Sequence, residues 1–139
     1  MKENYKIWLE EAEWDLENAE ILYKNKRYNT AVFHAQQASE KAVKALLASQ
    51  NINGWGHSIV NLLSKYHKEF NREIENIIKF AMFLDKHYIL TRYPDALPGI
   101  APHNAYNKEE AEVSINQAKK IIDFVKKEIK YFEKLKKEK

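Results

Sequence analysis

The chain of 139 residues is long enough for one domain with a buried core, and we treat residues 1–139 as a single domain. Hydrophobic residues make up 45% and charged residues 31% of the sequence, which is typical of a globular protein and argues against disorder. The net charge of +3 is too small to indicate nucleic-acid binding by itself. Because cysteine is absent, disulfides, thiolate metal sites and a cysteine nucleophile are excluded.

Hydropathy and the first residues of the sequence bear on location. No window approaches the roughly 18 apolar residues of a membrane span, and the acidic, amphipathic start differs from a signal peptide. We therefore expect a cytoplasmic protein that does not contact a membrane.

Two helices are predicted in the first part of the chain. Apolar residues at steps of three and four predict a helix over about 3–25, with Trp14 off the apolar stripe and either exposed or in contact with another helix. After a short polar turn, five alanines recur at the same spacing between Tyr28 and Ser49. This second helix can therefore approach another helix closely, and the short turn predicts an antiparallel pair.

Two more helices are predicted in the middle of the chain. Ser58 is expected to cap a short third helix, and a fourth helix is expected to start near Asn71. Asp85 lies beside the apolar stripe of the fourth helix. Because such a carboxylate needs a cation or a donor, Lys41 and Arg92 are its predicted partners.

The segment 91–106 contains all three prolines and is predicted to be an ordered loop, anchored by Tyr93, Leu97 and Ile100. Asn107 and Glu110 predict a capping box at the start of the last helix. Together the patterns predict an all-α up-and-down bundle of four long helices plus one short helix, with a long Pro-containing loop before the last helix.

Several segments, taken in order and at compatible spacing, resemble the HEPN domain, the nucleotide-binding helical domain of higher eukaryotes and prokaryotes. They are the run from Ala12 to Leu47, Gly56-His57-Ser58, Leu84-Asp85, and Thr91-Arg92-Tyr93-Pro94-Asp95 followed by Gly99. The chain is similar to the stand-alone prokaryotic members.

The resemblance implies a homodimer that binds a nucleotide and acts with a separate small nucleotidyltransferase, as in a toxin–antitoxin pair. We expect no cofactor. Toxin-like members of the family cleave RNA without a metal, so the alternative function is a metal-independent endoribonuclease of the HEPN toxin type.

The cleaving branches of the family carry an arginine, four to six residues and then a histidine. Neither Arg27 nor Arg72 is followed by a histidine at that distance, and the next histidine after Arg92 is His103, beyond the three prolines. The nuclease motif is therefore absent, which leaves enzymatic activity open and favours a binding role.

His87 precedes Arg92 in the opposite order, with four residues between them. A continuous helix would place the two side chains about 140° apart. They would meet only if the helix ends near Leu90, or across a dimer axis. In that case Arg92 would stabilise a phosphorane and His87 would act as a general acid or base on RNA.

Arg92, Tyr93 and Asp95 are candidates for nucleotide binding. The Arg92 guanidinium can make two-point contacts to phosphate, and the Tyr93 ring can stack on a base. The structural alternatives are an ion pair of Arg92 with Asp85 or Asp95, a loop anchor for Tyr93, and turn chemistry for Asp95.

His57 and Ser58 are candidates because the N–H groups of a helix N-terminus favour an anion. The alternative is that Ser58 is only a cap and His57 an exposed turn residue. His34, Gln37 and Lys41 are candidates because they form a polar line beside the alanine stripe, although a solvated face would show the same pattern.

No stronger constellation is present. The five histidines are scattered, no Gly-rich phosphate loop occurs and no serine is marked as a nucleophile, so no metal site is predicted. A third hypothesis is a purely structural role as an assembly bundle, because the alanine stripe would suit a dimer interface as well as an internal helix pair.

Overall fold

The apolar periodicity of the chain produces helices along most of its length. The computed structural model describes residues 4–138, and in that range it has six α-helices and no strand. These are α1 Asn4–Lys24, α2 Tyr28–Ser49, α3 Ile59–Phe70, α4 Glu75–Asp85, α5 His87–Leu90 and α6 Lys108–Lys137. Two 3₁₀ turns, Pro94–Ala96 and Pro102–Asn104, lie between α5 and α6. The predicted all-α fold is confirmed.

The alanine stripe of α2 lies at the centre of the bundle, where α2 packs against α1 and α6. Its members are fully buried: Ala31, Ala35, Ala38, Ala42 and Ala45. Small side chains allow the neighbouring helices to approach closely. Because the stripe is covered inside the chain, the idea that it also serves a dimer interface is wrong.

Two helix starts follow the predicted capping chemistry. The Ser58 hydroxyl accepts a hydrogen bond from the N–H of Asn61 at 3.1 Å. Asn107 and Glu110 form a reciprocal capping box at the start of α6. Both caps satisfy N–H groups that have no partner within the helix.

The predicted start of the fourth helix near Asn71 is wrong. Asn71 ends α3 in the left-handed conformation, with φ of 53°, and its N–H bonds to the carbonyl oxygen of His67. The fourth helix begins at Glu75, and a break at Lys86 separates it from α5. Asparagine tolerates the left-handed conformation better than most residues, which explains its use as a helix end.

Two of the three predicted anchors of the loop before α6 are not buried. Tyr93 and Ile100 are 46% and 43% exposed, whereas Leu97 is half-buried. Thr91 and Tyr106 are buried instead, and the Asn29 side chain donates to the Thr91 carbonyl oxygen at 2.9 Å. The loop is therefore fixed at its two ends.

The face of α1 that points away from the bundle is partly apolar. Ile7, Trp14 and Ile21, spaced seven residues apart, are all exposed there, so Trp14 does not pack against another helix. None of the helices described in residues 4–138 is long and apolar enough to cross a bilayer.

Candidate functional site

Arg92 follows α5, and the preceding helical turn holds its side chain. Its Nε and Nη2 donate to the carbonyl oxygen of Tyr88 at 3.1 and 2.8 Å. A guanidinium has five N–H donors, and those on its outer edge have no acceptor among residues 4–138. Because the residue is exposed, this edge is open to a ligand.

Three aromatic rings surround the Arg92 guanidinium. Its Cζ lies 4.3 Å from the ring centre of Phe33, 4.7 Å from that of Tyr88 and 4.9 Å from that of Tyr93. Cation–π attraction adds to the two hydrogen bonds. The arginine is therefore fixed in position although it lies at the surface.

His57 extends this surface from the turn before α3. Its ring stacks on Tyr88, with centres 4.6 Å apart and planes inclined by 17°. Its Nδ1 lies 3.3 Å from both carboxylate oxygens of Glu40, and its carbonyl oxygen accepts from Gln36 at 3.2 Å. The His57 side chain is 57% exposed, so its other ring nitrogen can meet solvent or a ligand. We call the following residues the Arg92 cluster: Phe33, His57, Tyr88, Arg92 and Tyr93.

Glu40 is a buried carboxylate that supports His57. Lys44, one helical turn further along α2, donates to its Oε2 at 3.0 Å. The amide nitrogens of Gln36 and Gln37 lie 3.4 Å from Oε1. Gln37 therefore helps to position Glu40, and the surrounding donors fix the carboxylate beneath His57.

Asp85 caps α3 from the end of α4. Its Oδ1 accepts from the N–H of Ile59 at 2.8 Å, and its Oδ2 accepts from the N–H of Val60 at 3.0 Å. The Ser58 hydroxyl also donates to Oδ2, at 2.9 Å. These bonds fix the turn that carries His57.

This cap changes two expectations. Lys41 and Arg92 are not the partners of Asp85, because the free N–H groups at the start of α3 provide the donors that its carboxylate needs. An external anion was expected at the N-terminus of α3, beside His57. The Asp85 carboxylate already occupies that position. Ser58 serves as a helix cap and as a donor to that carboxylate.

His34 and Lys41 lie outside the Arg92 cluster, at the interface of α1 and α2. His34 Nδ1 and Lys41 Nζ lie 3.0 and 2.7 Å from the two carboxylate oxygens of Asp15. Burial alone would raise the pKa of Asp15, but the contacts with His34 and Lys41 outweigh it and hold that pKa below its usual value. The structure gives these two residues a role in joining helices.

His87 and Arg92 contact different groups. His87 Nδ1 lies 2.6 Å from the Tyr106 hydroxyl, and its ring packs against Phe83. Burial lowers the pKa of His87. In the described structure the two side chains share no partner, so one chain alone does not form the His87–Arg92 pair.

Asp95 lies exposed in the 3₁₀ turn that follows Tyr93. No salt bridge joins Arg92 to Asp85 or Asp95 within residues 4–138. Asp95 is therefore available near the cluster.

Sequence reasoning did not single out Phe33, Tyr88 or Glu40 as site residues. The available signal was the position of Tyr88 one helical turn before Arg92. In the described part of the chain no three His, Asp or Glu side chains are grouped as a metal site requires.

The arrangement suits a phosphorylated ligand. It combines a fixed guanidinium with an open edge, exposed aromatic rings, and a histidine whose outer nitrogen is accessible. These groups recognise phosphate by hydrogen bonds and bases by stacking.

Both the sequence and the fold are similar to known proteins. The HEPN domain model matches residues 5–129. The protein named "Putative toxin MJ1304" of Methanocaldococcus jannaschii is 31% identical over 129 residues, which cover 87% of this chain and 85% of that protein. The crystal structure of TT1696 from Thermus thermophilus has a TM-score of 0.85 and 39% identity, covering 89% of this chain and 97% of that one. The crystal structure of ST0689, an archaeal HEPN homologue, has a TM-score of 0.76 and 38% identity, and the match covers 90% of this chain and 97% of that one. The chain therefore belongs to the HEPN domain family.

Proposed function

We propose that this protein is a nucleotide-binding module of the HEPN toxin–antitoxin type, with the Arg92 cluster as its ligand site. The observation that supports this is the geometry of Arg92, which is fixed by Tyr88 while its outer edge stays open. Two parallel N–H groups on that edge match two oxygens of a phosphate.

Neighbouring residues suit the rest of a nucleotide. The exposed ring of Tyr93 lies beside the guanidinium and can stack on a base. Asp95 follows in the next turn and can accept hydrogen bonds from ribose hydroxyls or base amino groups. We expect the protein to work in the cytoplasm, where nucleotides are abundant.

Nucleotide binding tests the proposal directly. In calorimetric titrations with ATP and AMP, Arg92→Ala is expected to weaken binding by about 10- to 100-fold, because a charge-assisted contact contributes about 1.5–3 kcal/mol. Arg27→Ala is the matched control, because Arg27 is exposed in the α1–α2 turn and only its main chain forms hydrogen bonds in the described structure. Absence of binding by the parent, or equal binding by Arg92→Ala, refutes the proposed site.

The proposed partner is a separate small nucleotidyltransferase, and the outer face of α1 supports an interface for it. Ile7, Trp14 and Ile21 are exposed there. Acidic residues border this apolar stripe, namely Glu10, Glu11 and Glu17. Two copies of α1 facing each other would bring these acids together, which is unfavourable. We therefore assign this face to a basic surface of the partner and the homodimer to another face.

Co-purification with a tagged nucleotidyltransferase encoded beside this chain tests the partner. Trp14→Glu is expected to abolish the complex and to leave the dimer mass in light scattering unchanged. Val113→Glu is the matched control, because Val113 is an exposed apolar residue on α6. A complex that survives Trp14→Glu contradicts the assigned face, and a monomer at every concentration contradicts the homodimer.

Metal-independent RNA cleavage is the second candidate function, favoured by the toxin name of the relative from Methanocaldococcus jannaschii. A time course on mixed RNA in excess chelator tests it. Cleavage by the parent that is lost in Arg92→Ala supports a ribonuclease. Intact RNA in both reactions leaves the binding module as the function.

A further inference from the structure

We propose that a cavity lined by Trp8, Lys44 and Trp55 is a second ligand site, which binds a small aromatic carboxylate. The cavity has a volume of about 210 Å³ and is formed by α1, the end of α2 and the connection before α3. It shares no lining residue with the Arg92 cluster. The inference therefore goes beyond the proposed function and does not depend on it.

The turn that carries Trp55 has a fixed backbone. Gly54 packs so closely that a Cβ atom there would lie 3.0 to 3.2 Å from side chains of α2 and α3. Gly56 has a φ of 84°, a conformation that residues with a side chain rarely adopt. Lys65 holds the same turn, because its Nζ donates to the Asn53 carbonyl oxygen at 3.1 Å. The position of Trp55 is thereby set before a ligand binds.

Both tryptophans present ring surface to solvent. Trp55 is 80% exposed, more than any other large apolar side chain in residues 4–138, and Trp8 is 36% exposed. Indole rings pack favourably against other aromatic rings. The lining also includes the apolar side chains of Ala48 and Ile52. These surfaces favour an aromatic ring as the occupant.

Lys44 determines which charge the ligand carries. Its Nζ lies 5.5 Å from the Trp8 ring centre and donates to Glu40 Oε2 at 3.0 Å. An ammonium group has three N–H donors, and Glu40 is its one hydrogen-bond acceptor within residues 4–138. Two donors therefore remain for a ligand, and a carboxylate forms the strongest hydrogen bonds with them.

Glu40 does not take up the whole charge of Lys44. The amide nitrogens of Gln36 and Gln37 lie 3.4 Å from Oε1 of Glu40, and His57 Nδ1 lies 3.3 Å from both oxygens. The carboxylate thus has several other partners. Two tryptophans would also suit a quaternary ammonium, but the ammonium of Lys44 would repel such a cation. An anionic ligand fits this cavity better.

The size of the cavity limits the ligand further. Sites for drug-sized molecules have volumes of about 300–1,000 Å³, and this cavity is smaller. It suits one aromatic ring that carries a short acidic group. Benzoate is the simplest molecule of this class and serves as the probe.

Tryptophan fluorescence reports binding at this site. The chain has three tryptophans, and the third, Trp14, is exposed on the outer face of α1. In Trp14→Phe all indole emission therefore comes from the two residues of the cavity. Benzoate is expected to change this emission saturably, and calorimetry measures the affinity independently.

Two analogues of benzoate separate the charge from the ring on the unaltered protein. Benzamide keeps the ring without the charge, and cyclohexanecarboxylate keeps the charge without the aromatic ring. Each is expected to bind about tenfold more weakly than benzoate or worse. Equal binding of benzoate and either analogue overturns the proposed ligand class.

Variants test the residues. Lys44→Met is expected to weaken benzoate binding about 10- to 100-fold and Trp55→Ala about tenfold. Arg92→Ala is the matched control, because it removes a positive charge outside the cavity and should bind benzoate as the parent does. Circular dichroism checks each fold. If Lys44→Met does not fold, Trp55→Ala and the analogues still decide, since Trp55 lies at the surface.

Three further results would overturn the inference. The first is the absence of a saturable change in Trp14→Phe, and the second is equal binding by the parent and Trp55→Ala. The third is loss of benzoate binding in Arg92→Ala, which would place the carboxylate at the Arg92 cluster.

Discussion

Arg72 and Glu128 form a two-point ion pair between the α3–α4 connection and α6. Arg72 Nε and Nη2 donate to the two carboxylate oxygens at 2.9 and 3.0 Å, and the Tyr66 hydroxyl donates at 2.5 Å. Burial alone would raise the pKa of Glu128, but the bonds from Arg72 and Tyr66 outweigh it and hold that pKa below its usual value. Burial, and then the bond to Glu128, raises the pKa of Tyr66. The pair therefore ties the middle of the chain to the last helix.

Arg72→Ala is expected to lower the free energy of unfolding by about 2 kcal/mol, because hydrogen bonds to a charged group contribute about 1.5–3 kcal/mol. The substitution also removes the contact of Arg72 Cζ with the Tyr131 ring at 3.6 Å. Urea unfolding at pH 7 measures the loss, with Arg27→Ala as control. The stabilisation depends on ionised Glu128, so it is complete above the ordinary glutamate pKa of about 4.3 and is lost as the pH falls below it. Equal loss in both arginine variants contradicts the prediction.

Asp85→Asn is expected to destabilise the protein by about 1–2 kcal/mol, because it removes a negative charge from the start of α3 and one strong acceptor. The turn that carries His57 should loosen as well, so nucleotide binding at the Arg92 cluster should weaken. Thermal unfolding and ATP titration measure the two effects. Asp123→Asn, an exposed site on α6, is the control. The same melting temperature for both variants would show that Asp85 does not act as a cap.

The helices were predictable because their signals are local. The alanine spacing of α2, the cap at Ser58 and the capping box at Asn107 each lie within a single helix and its first or preceding residue. The boundary at Asn71 was not predictable in the same way, since asparagine suits both the start and the end of a helix. Which of the two occurs depends on how α3 and α4 pack.

The site was predictable only in its residue types. Arg92, Tyr93 and His57 were chosen for their chemistry. The structure places Arg92 and His57 against the Tyr88 ring, and Tyr93 against Arg92. Lys41, chosen on the same grounds, instead binds a carboxylate on α1. Ion-pair partners depend on which helices face each other, and helical spacing within one segment carries no information about that.

Gly54→Ala is expected to destabilise the protein by about 1 kcal/mol or more, because added volume in a filled site forces its neighbours to move. A methyl group there would lie 3.0 Å from Leu62 Cδ2, 3.1 Å from Lys44 Cγ and 3.2 Å from Leu47 Cδ1. Thermal unfolding measures the effect. Asn53→Ala provides the neighbouring control, because Asn53 is exposed. Equal melting temperatures would mean that the turn adapts without cost.

His87 should make the stability of the fold depend on pH. Burial is the main cause that lowers its pKa, Lys86 acts in the same direction and Glu110 opposes both. An unfolded histidine binds a proton near pH 6.5, whereas folded His87 binds one only at lower pH. The unfolded state therefore takes up more protons between these values, and the free energy of unfolding should fall as the pH drops through that window. Below the pKa of His87 in the folded protein, the loss of stability should stop increasing.

His87→Gln tests this directly, because glutamine can still hydrogen-bond the Tyr106 hydroxyl that lies 2.6 Å from Nδ1 of His87. Urea unfolding of both proteins at pH 7.5 and 5.5 gives the comparison. The loss of stability on acidification should be smaller in the variant, since one proton-binding difference between the folded and unfolded states has been removed. The other four histidines are common to both proteins and cancel in the difference. If the free energy of unfolding changes equally with pH in the parent and the variant, His87 binds its proton equally well in the folded and unfolded states. Its burial would then not make the stability depend on pH.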